Sequence, residues 1–263
     1  MKLLRYFSVF VFMGLSCSAT AKVPVYVAAY DYPPYFSAVL QTDLTRELIT
    51  LLNEHQDSYV FRIQVIPPTN RHKALSTKGC CDVIFFESPL WGWKKSGVGF
   101  QETIPLVKGN ERLVALKKTG RDQSFFDTFD GKTLGGVKGY HYLLGGELLA
   151  SDEVEEKYTT YLADSRMTNL QMVLGGRIDL TIINDELLAA LKGSNQINVG
   201  SLLLSEKVSL EYKLHLLVGD NKNISADTLQ RLLRELGRQG EFEILFRRFN
   251  MERFQIYRPT TTR

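Results

Sequence analysis

Cysteine is scarce in this 263-residue chain: Cys17, Cys80 and Cys81 are the whole set. Three cysteines build no disulfide framework. Cys80 and Cys81 are neighbours, and a bridge between neighbours needs a strained ring, because bridged Cα atoms usually lie farther apart. The pair reads instead as small residues entering a strand that runs on through Asp82 to Phe86. Histidine is scarce too, and its four copies show no ligand spacing, so neither a metal nor another cofactor is expected. Charge is nearly balanced, with 32 Lys and Arg against 29 Asp and Glu. Without a clustered basic surface there is no footprint for nucleic acid. Also missing are a glycine-rich phosphate loop, a G-x-S-x-G elbow and a zinc-binding helix, which removes the enzyme classes built on them. No repeat, low-complexity tract or long linker interrupts the chain.

What is present begins with an export pattern. Lys2 and Arg5 precede an apolar run from Tyr6 to Leu15, and small residues follow up to Ala19-Thr20-Ala21. A spanning helix needs roughly 20 mostly apolar residues, and this run is shorter. Residues 1–21 read as a cleaved signal peptide, which places the mature protein in the periplasm. These residues carry two of the basic side chains and no acid, leaving the remainder close to neutral.

Beyond the signal, strands and helices alternate. Val23 to Ala29 reads as a buried strand. Leu44, Leu48, Leu51 and Leu52 lie on one helix face after Asp43. Val60 to Ile66 alternates as a strand and is closed by Pro67-Pro68. A short helix near Arg71 to Ser76 and a strand from Val83 to Phe86 complete a β-α-β-α-β order, the grammar of a mainly parallel sheet covered by helices. The grammar restarts with a strand at Lys132 to Lys138, a turn at Gly139 and a helix from Tyr140 to Leu149. A further helix around Leu170, Val173 and Leu174 stops at Gly175-Gly176 and feeds the strand Ile178 to Ile183. Two amphipathic helices close the chain, the first capped by Ser225. Arg112 to Lys117 and Glu211 to Val218 are extended segments suited to crossing between two units.

The order and spacing of YVAAYDYPPYF, GCCDVIFF, FQETIPLV, FDGKTLGGVKGYHY and LGGRIDLTIIND, with the terminal helix pair, resemble the bacterial family 3 extracellular solute-binding proteins. That resemblance implies a type II periplasmic-binding-protein clamp: two α/β lobes, each a mainly parallel sheet flanked by helices, joined by two crossover strands. Lobe one would comprise 22–110 and 214–263, and lobe two 111–213. A small polar or charged solute, amino-acid-like or related, would be caught between the lobes by hinge closure.

The resemblance also assigns site positions. The position of the family's carboxylate-binding arginine falls on Lys94, a point charge without the planar fork. The position of the ammonium-binding aspartate falls on Asn184, with Asp185 next to it. Gly139, Tyr140, His141 and Tyr142 form the lobe-two turn, where a helix start would offer backbone donors to an anion. A subset of relatives carries a cleft-facing arginine where Arg71 stands. From their own chemistry, Tyr30, Tyr32, Tyr35, Trp91 and Trp93 offer flat apolar faces with polar tips, and Glu87 adds a carboxylate. Asp82 and Asp179 read as structural.

Three functions fit these residues. The first is a receptor, expected to be monomeric, that serves an inner-membrane ABC permease or a membrane sensor. The second is an enzyme on the same fold, of the cyclohexadienyl dehydratase type, with Glu87, His141 or Asp185 as its acid or base. The third is a partner domain without a transport role. No second motif residue orients any of the three acid–base candidates, so a non-enzymatic role is expected.

Overall fold

The structure, a computed structural model, describes residues 21–38, 42–192 and 197–258. The signal-peptide reading therefore falls, apart from Ala21, outside the described residues.

The first part of the chain forms β1 (Val23–Ala29), α1 (Leu44–Glu54), β2 (Tyr59–Val65), α2 (Arg71–Leu75), β3 (Val83–Glu87), α3 (Trp93–Ser96), β4 (Phe100–Glu102) and β5 (Val107–Leu116). The middle forms β6 (Leu134–Val137), β7 (His141–Leu144), β8 (Glu147–Ala150), α4 (Ser151–Lys157), β9 (Thr160–Ala163), α5 (Arg166–Leu174), β10 (Leu180–Asn184) and α6 (Asp185–Lys192). Then come β11 (Leu202–Gly219), α7 (Ala226–Arg238) and α8 (Glu241–Arg248).

Two parallel groups underlie the two lobes. β1 pairs with β2 and β3, and β6 pairs with β9 and β10, all in parallel. Antiparallel strands join the groups. β11 pairs with β5 from Leu202 opposite Leu116 to Leu214 opposite Val107, and then continues from His215 to Val218 along β3. β5 also pairs with β10. The resulting ladder, in the order β2-β1-β3-β11-β5-β10-β6-β9, passes without a break from one lobe to the other. The segments read as crossings fall on β5, apart from Lys117, and on β11, and both strands begin earlier than the sequence pattern indicated.

Local chemistry accounts for the helices that cover these sheets. The Asp43 carboxylate accepts from Arg46 N at 2.9 Å and starts α1, which buries Leu44, Leu48 and Leu52. Ser225 accepts from Thr228 N at 3.1 Å and starts α7, which buries Leu229, Leu233 and Leu236. α7 and α8 pack on each other and on α1. α5 and α6 bury Leu170, Val173, Leu187 and Leu188 beside Val114 and Ile183. Each such side chain contributes about 1.5–3 kcal/mol by leaving water. Asp82 and Asp179 serve as strand staples: Asp82 accepts from Tyr26 N and Asn223 N, and Asp179 accepts from Thr133 N.

Two expectations need correction. Residues 140–149 form no helix; β7 and β8 make a hairpin closed by Gly145 and Gly146, with φ of 58° and 84°. Two consecutive positive-φ glycines fit a two-residue hairpin turn, whose backbone twist matches the flanking strands. The alternation of buried Tyr142 and Leu144 with half-buried His141 and Leu143 is a strand period, not a helical one. The second correction concerns Cys80 and Cys81, which are bonded to each other across adjacent residues. Cys80 is exposed and Cys81 is buried.

Candidate ligand-binding cleft

Where the lobes meet, Tyr30, Tyr32, Arg71, Trp91, Glu111, Tyr140, His141 and Arg166 enclose a cavity of about 10 Å³. That is room for about one water molecule, so a larger solute enters only when the lobes part. Arg71 and His141 also line an open groove of about 580 Å³ that continues outward past His72, Lys95, Lys138 and Ser151. These two residues thus stand between the cavity and solvent.

Arg71 begins α2 and is 2% exposed. Its Nη1 donates to Pro68 O at 3.0 Å and, across the cleft, to Gly139 O. Its Nη2 donates to Trp91 O at 3.1 Å and to His141 Nδ1 at 2.9 Å. His141 Nδ1 faces an N–H and must accept, which puts the imidazole proton on Nε2. Burial first, and then the Arg71 charge, lower the His141 pKa to about 4. Behind Arg71 lies Glu87, fully buried, 3.4 Å from Arg71 Nε. Glu87 accepts from Tyr30 OH at 2.7 Å and from Trp93 Nε1 at 2.9 Å.

The opposite wall is built on Arg166, 1% exposed, at the start of α5 just after its cap Ser165. Arg166 donates to Asn184 Oδ1 at 2.6 Å and pairs with Glu111 Oε1. Its guanidinium carbon lies 4.9 Å from the Tyr32 ring centre and 5.0 Å from that of Tyr140. Burial, partly offset by Arg166, raises the Glu111 pKa. Below this layer, Glu186 accepts from Tyr35 OH and Tyr212 OH, each at 2.7 Å, while Tyr32 OH donates to Tyr212 OH at 3.0 Å. Burial lifts the hydroxyls of Tyr30, Tyr32, Tyr35, Tyr140 and Tyr212 well above their usual range, so all five remain neutral.

Of the residues picked from sequence, Tyr30, Tyr32, Arg71, Trp91, Tyr140 and His141 line the cavity together. Tyr35, Glu87, Trp93, Tyr142 and Asn184 are buried behind it. Tyr142 OH accepts from Val137 N, and the Trp93 ring packs edge-on against His72 and Phe100. Lys94 is not brought to the site. The short α3, flanked by Gly92 and Gly97 in left-handed conformation, turns Trp93 inward and Lys94 to solvent. Asp185 forms a forked pair with Arg112 at 2.6 and 2.9 Å and does not line the cavity. Gly139 is a lobe contact rather than part of a helix start. At φ 80°, a Cβ on it would lie 2.6 Å from Thr69 N. Gly139→Ala is therefore expected to hold the lobes apart while each stays folded, increasing the radius of gyration in solution scattering. Unchanged scattering would show that the contact yields.

Sequence reading missed Glu111, Arg166, Glu186 and Tyr212. The signal for Glu111 was available: it shares the inward phase of β5 with Val107, Gly109 and Leu113. Gly109 belongs to the same feature, since a Cβ there would meet Glu186 Oε1 at 2.1 Å. Arg166 gave no such signal, as an arginine in a first helical turn usually points to water.

No family model matches the chain, and no curated protein matches it. Solved structures do match, over most of both chains. A putative L-cystine ABC transporter protein from Listeria monocytogenes has a TM-score of 0.67 at 14% identity, covering 89% of this chain and 98% of its own. A putative binding component of an ABC transporter from Wolinella succinogenes, complexed with lysine, has a TM-score of 0.66 at 14% identity, covering 87% and 95%. An ancestral amino acid-binding protein, described as a precursor of cyclohexadienyl dehydratase, has a TM-score of 0.63 at 14% identity, covering 87% and 95%. The fold is thus the two-lobed clamp of type II periplasmic binding proteins, as the resemblance implied.

Proposed function

We propose that this protein is a solute-binding receptor that captures a small polar or charged molecule between its lobes by hinge closure. One observation carries the reading. Around the cavity lie buried hydrogen-bonding atoms without a partner among the described residues: Trp91 Nε1, Glu111 Oε2 and Arg166 Nε. Buried polar atoms are ordinarily satisfied, and atoms from both walls left free at one point suit a solute that bridges them. Neighbours of the same fold bind amino acids or belong to ABC transporters, which supports the same class of task here.

In this reading lobe one comprises 22–110 and 214–263, lobe two comprises 111–213, and β5 and β11 supply the hinge. Export through residues 1–21 would put the receptor in the periplasm as a monomer, serving a permease or sensor of the inner membrane. Among the described residues no helix is long and apolar enough to cross a membrane. The test is a thermal-shift screen with amino acids, polyamines, aromatic acids and small carboxylates. A ligand at 100 times its Kd stabilises by about 2.7 kcal/mol, expected as a rise in Tm of roughly 5–10 °C. No shift with any class would remove the receptor reading. Consumption of the stabilising compound would replace it with an enzyme.

A further inference from the structure

The two cleft arginines are placed for different work. Arg71 spends its hydrogens on backbone oxygens and His141. Arg166 is fixed within its own wall by Glu111 and Asn184, and it lies against the rings of Tyr32 and Tyr140, which meet edge-on. Two rings with a carboxylate behind them make a seat for a cation. Here the chain's own guanidinium fills that seat, leaving none for a basic ligand such as the lysine of the Wolinella protein.

The atoms left over define what fits. Among the described residues, the free donors are Trp91 Nε1, Arg166 Nε and, just behind, Asn184 Nδ2; the free acceptors are Glu111 Oε2 at the cavity and, outside its lining, Asp31 Oδ2, while Arg71 Nε faces Glu87. Asn184 stands where the resemblance expects an ammonium-binding aspartate. Its Oδ1 is already taken by Arg166, and what it has left is an N–H. An ammonium brings only donors, whereas a carboxylate brings only acceptors. We propose that Arg166 is the specificity residue of the cleft and selects small carboxylates that lack an ammonium group. This rests on the receptor reading.

Charge is settled at Glu111. Arg71 and Arg166 are already countered by Glu87 and Glu111, so an entering carboxylate leaves one negative charge too many in a buried site. Glu111 takes up one proton from solvent as the ligand settles, and Arg166 then serves the ligand. Around Glu111 stand Arg166 and the neutral Tyr32, Tyr142 and Tyr212, with Glu186 beyond Tyr212. Carboxylate affinity therefore rises as pH falls, and the pH series is run in a Glu186→Gln background to keep that second carboxyl out of it.

The experiment is calorimetric titration with matched pairs: 3-phenylpropanoate against phenylalanine, and glutarate against glutamate. The acid without the amino group is expected to bind roughly tenfold to a hundredfold more tightly than its partner. Glu111→Gln is expected to tighten carboxylate binding and flatten its pH dependence, while Arg166→Gln abolishes it. Should Arg166→Gln fail to fold, Glu111→Gln still decides. If the amino acids bind more tightly, or Glu111→Gln loses binding, the inference fails while the receptor stands. If neither pair binds but another solute does, it fails likewise. If nothing binds, both readings fall.

Discussion

Replacing Arg71 with alanine is expected to destabilise the protein by about 3–5 kcal/mol, besides removing a wall of the cleft. The resemblance presents Arg71 as a cleft-facing residue, and its burial gives it a part in the fold as well. Glu87 is fully buried and has Arg71 as its countercharge, with Tyr30 and Trp93 as neutral donors. The alanine would strand that carboxylate and leave Gly139 O without its donor, while Trp91 O keeps His72 Nε2 and Pro68 O keeps the backbone N–H of residue 71. Combining Arg71→Ala with Glu87→Gln removes the stranded charge, and most of the lost stability is expected to return. Urea unfolding of wild type, single variant and double variant measures this. Equal losses in the two variants would mean that Glu87's charge is not the cause.

The second large effect is on pH dependence. Burial is the main cause that raises Glu186 from 4.5 to about 7, against the pull of hydrogen bonds from Tyr212 and Tyr35. A raised carboxyl keeps its proton in the folded state over a range where the unfolded chain has lost it. Its contribution is therefore complete below about pH 4.5, declines as pH rises to about 7, and is gone above that. At about 1.4 kcal/mol per unit, the loss comes to about 3 kcal/mol. Glu186→Gln keeps an acceptor for the two hydroxyls and has no charge to bury. It is expected to match wild type near pH 4.5 and to exceed it by up to about 3 kcal/mol near pH 8. Chemical denaturation across that range compares them, with the other titrating groups cancelling between the two proteins. Parallel profiles would assign the proton elsewhere.

The fold was largely legible because its determinants are local and periodic. Asp43 and Ser225 announce helix starts, Leu44 and Leu48 announce a buried face, and the strands around Val25 and Ile182 are rich in apolar residues. The 140–149 hairpin was misread because Leu144 and Leu148 also fit a helical i, i+4 spacing, while Gly145-Gly146 carried the turn. The aromatic wall was legible from Tyr30, Tyr32 and Trp91, since such residues beside prolines and glycines rarely all serve a core. The charged half was not. Lys94 sits at the expected spacing and Asp185 one residue past it, yet both look elsewhere, whereas Arg166 and Glu111, 55 residues apart, meet only through the pairing of β5 with β10 and the packing of α5. Chain separation of that kind leaves no trace in a local pattern.

The joint between the lobes is the two-stranded ribbon of β5 and β11, and a ribbon resists some motions far more than others. β5 and β11 stay hydrogen-bonded along the whole crossing, so shear and splaying would break ladder bonds while bending and twisting about the strand axes would not. The register slips between Leu204 and Val208 and again before Leu210, facing Arg112 and Glu111. Such irregularities bend a strand and increase its local twist. The soft spot of the spring therefore lies beside the carboxylate that holds Arg166. In the receptor reading, opening and closing would then be nearly a single coordinate, and what Glu111 binds would be felt at the proposed hinge.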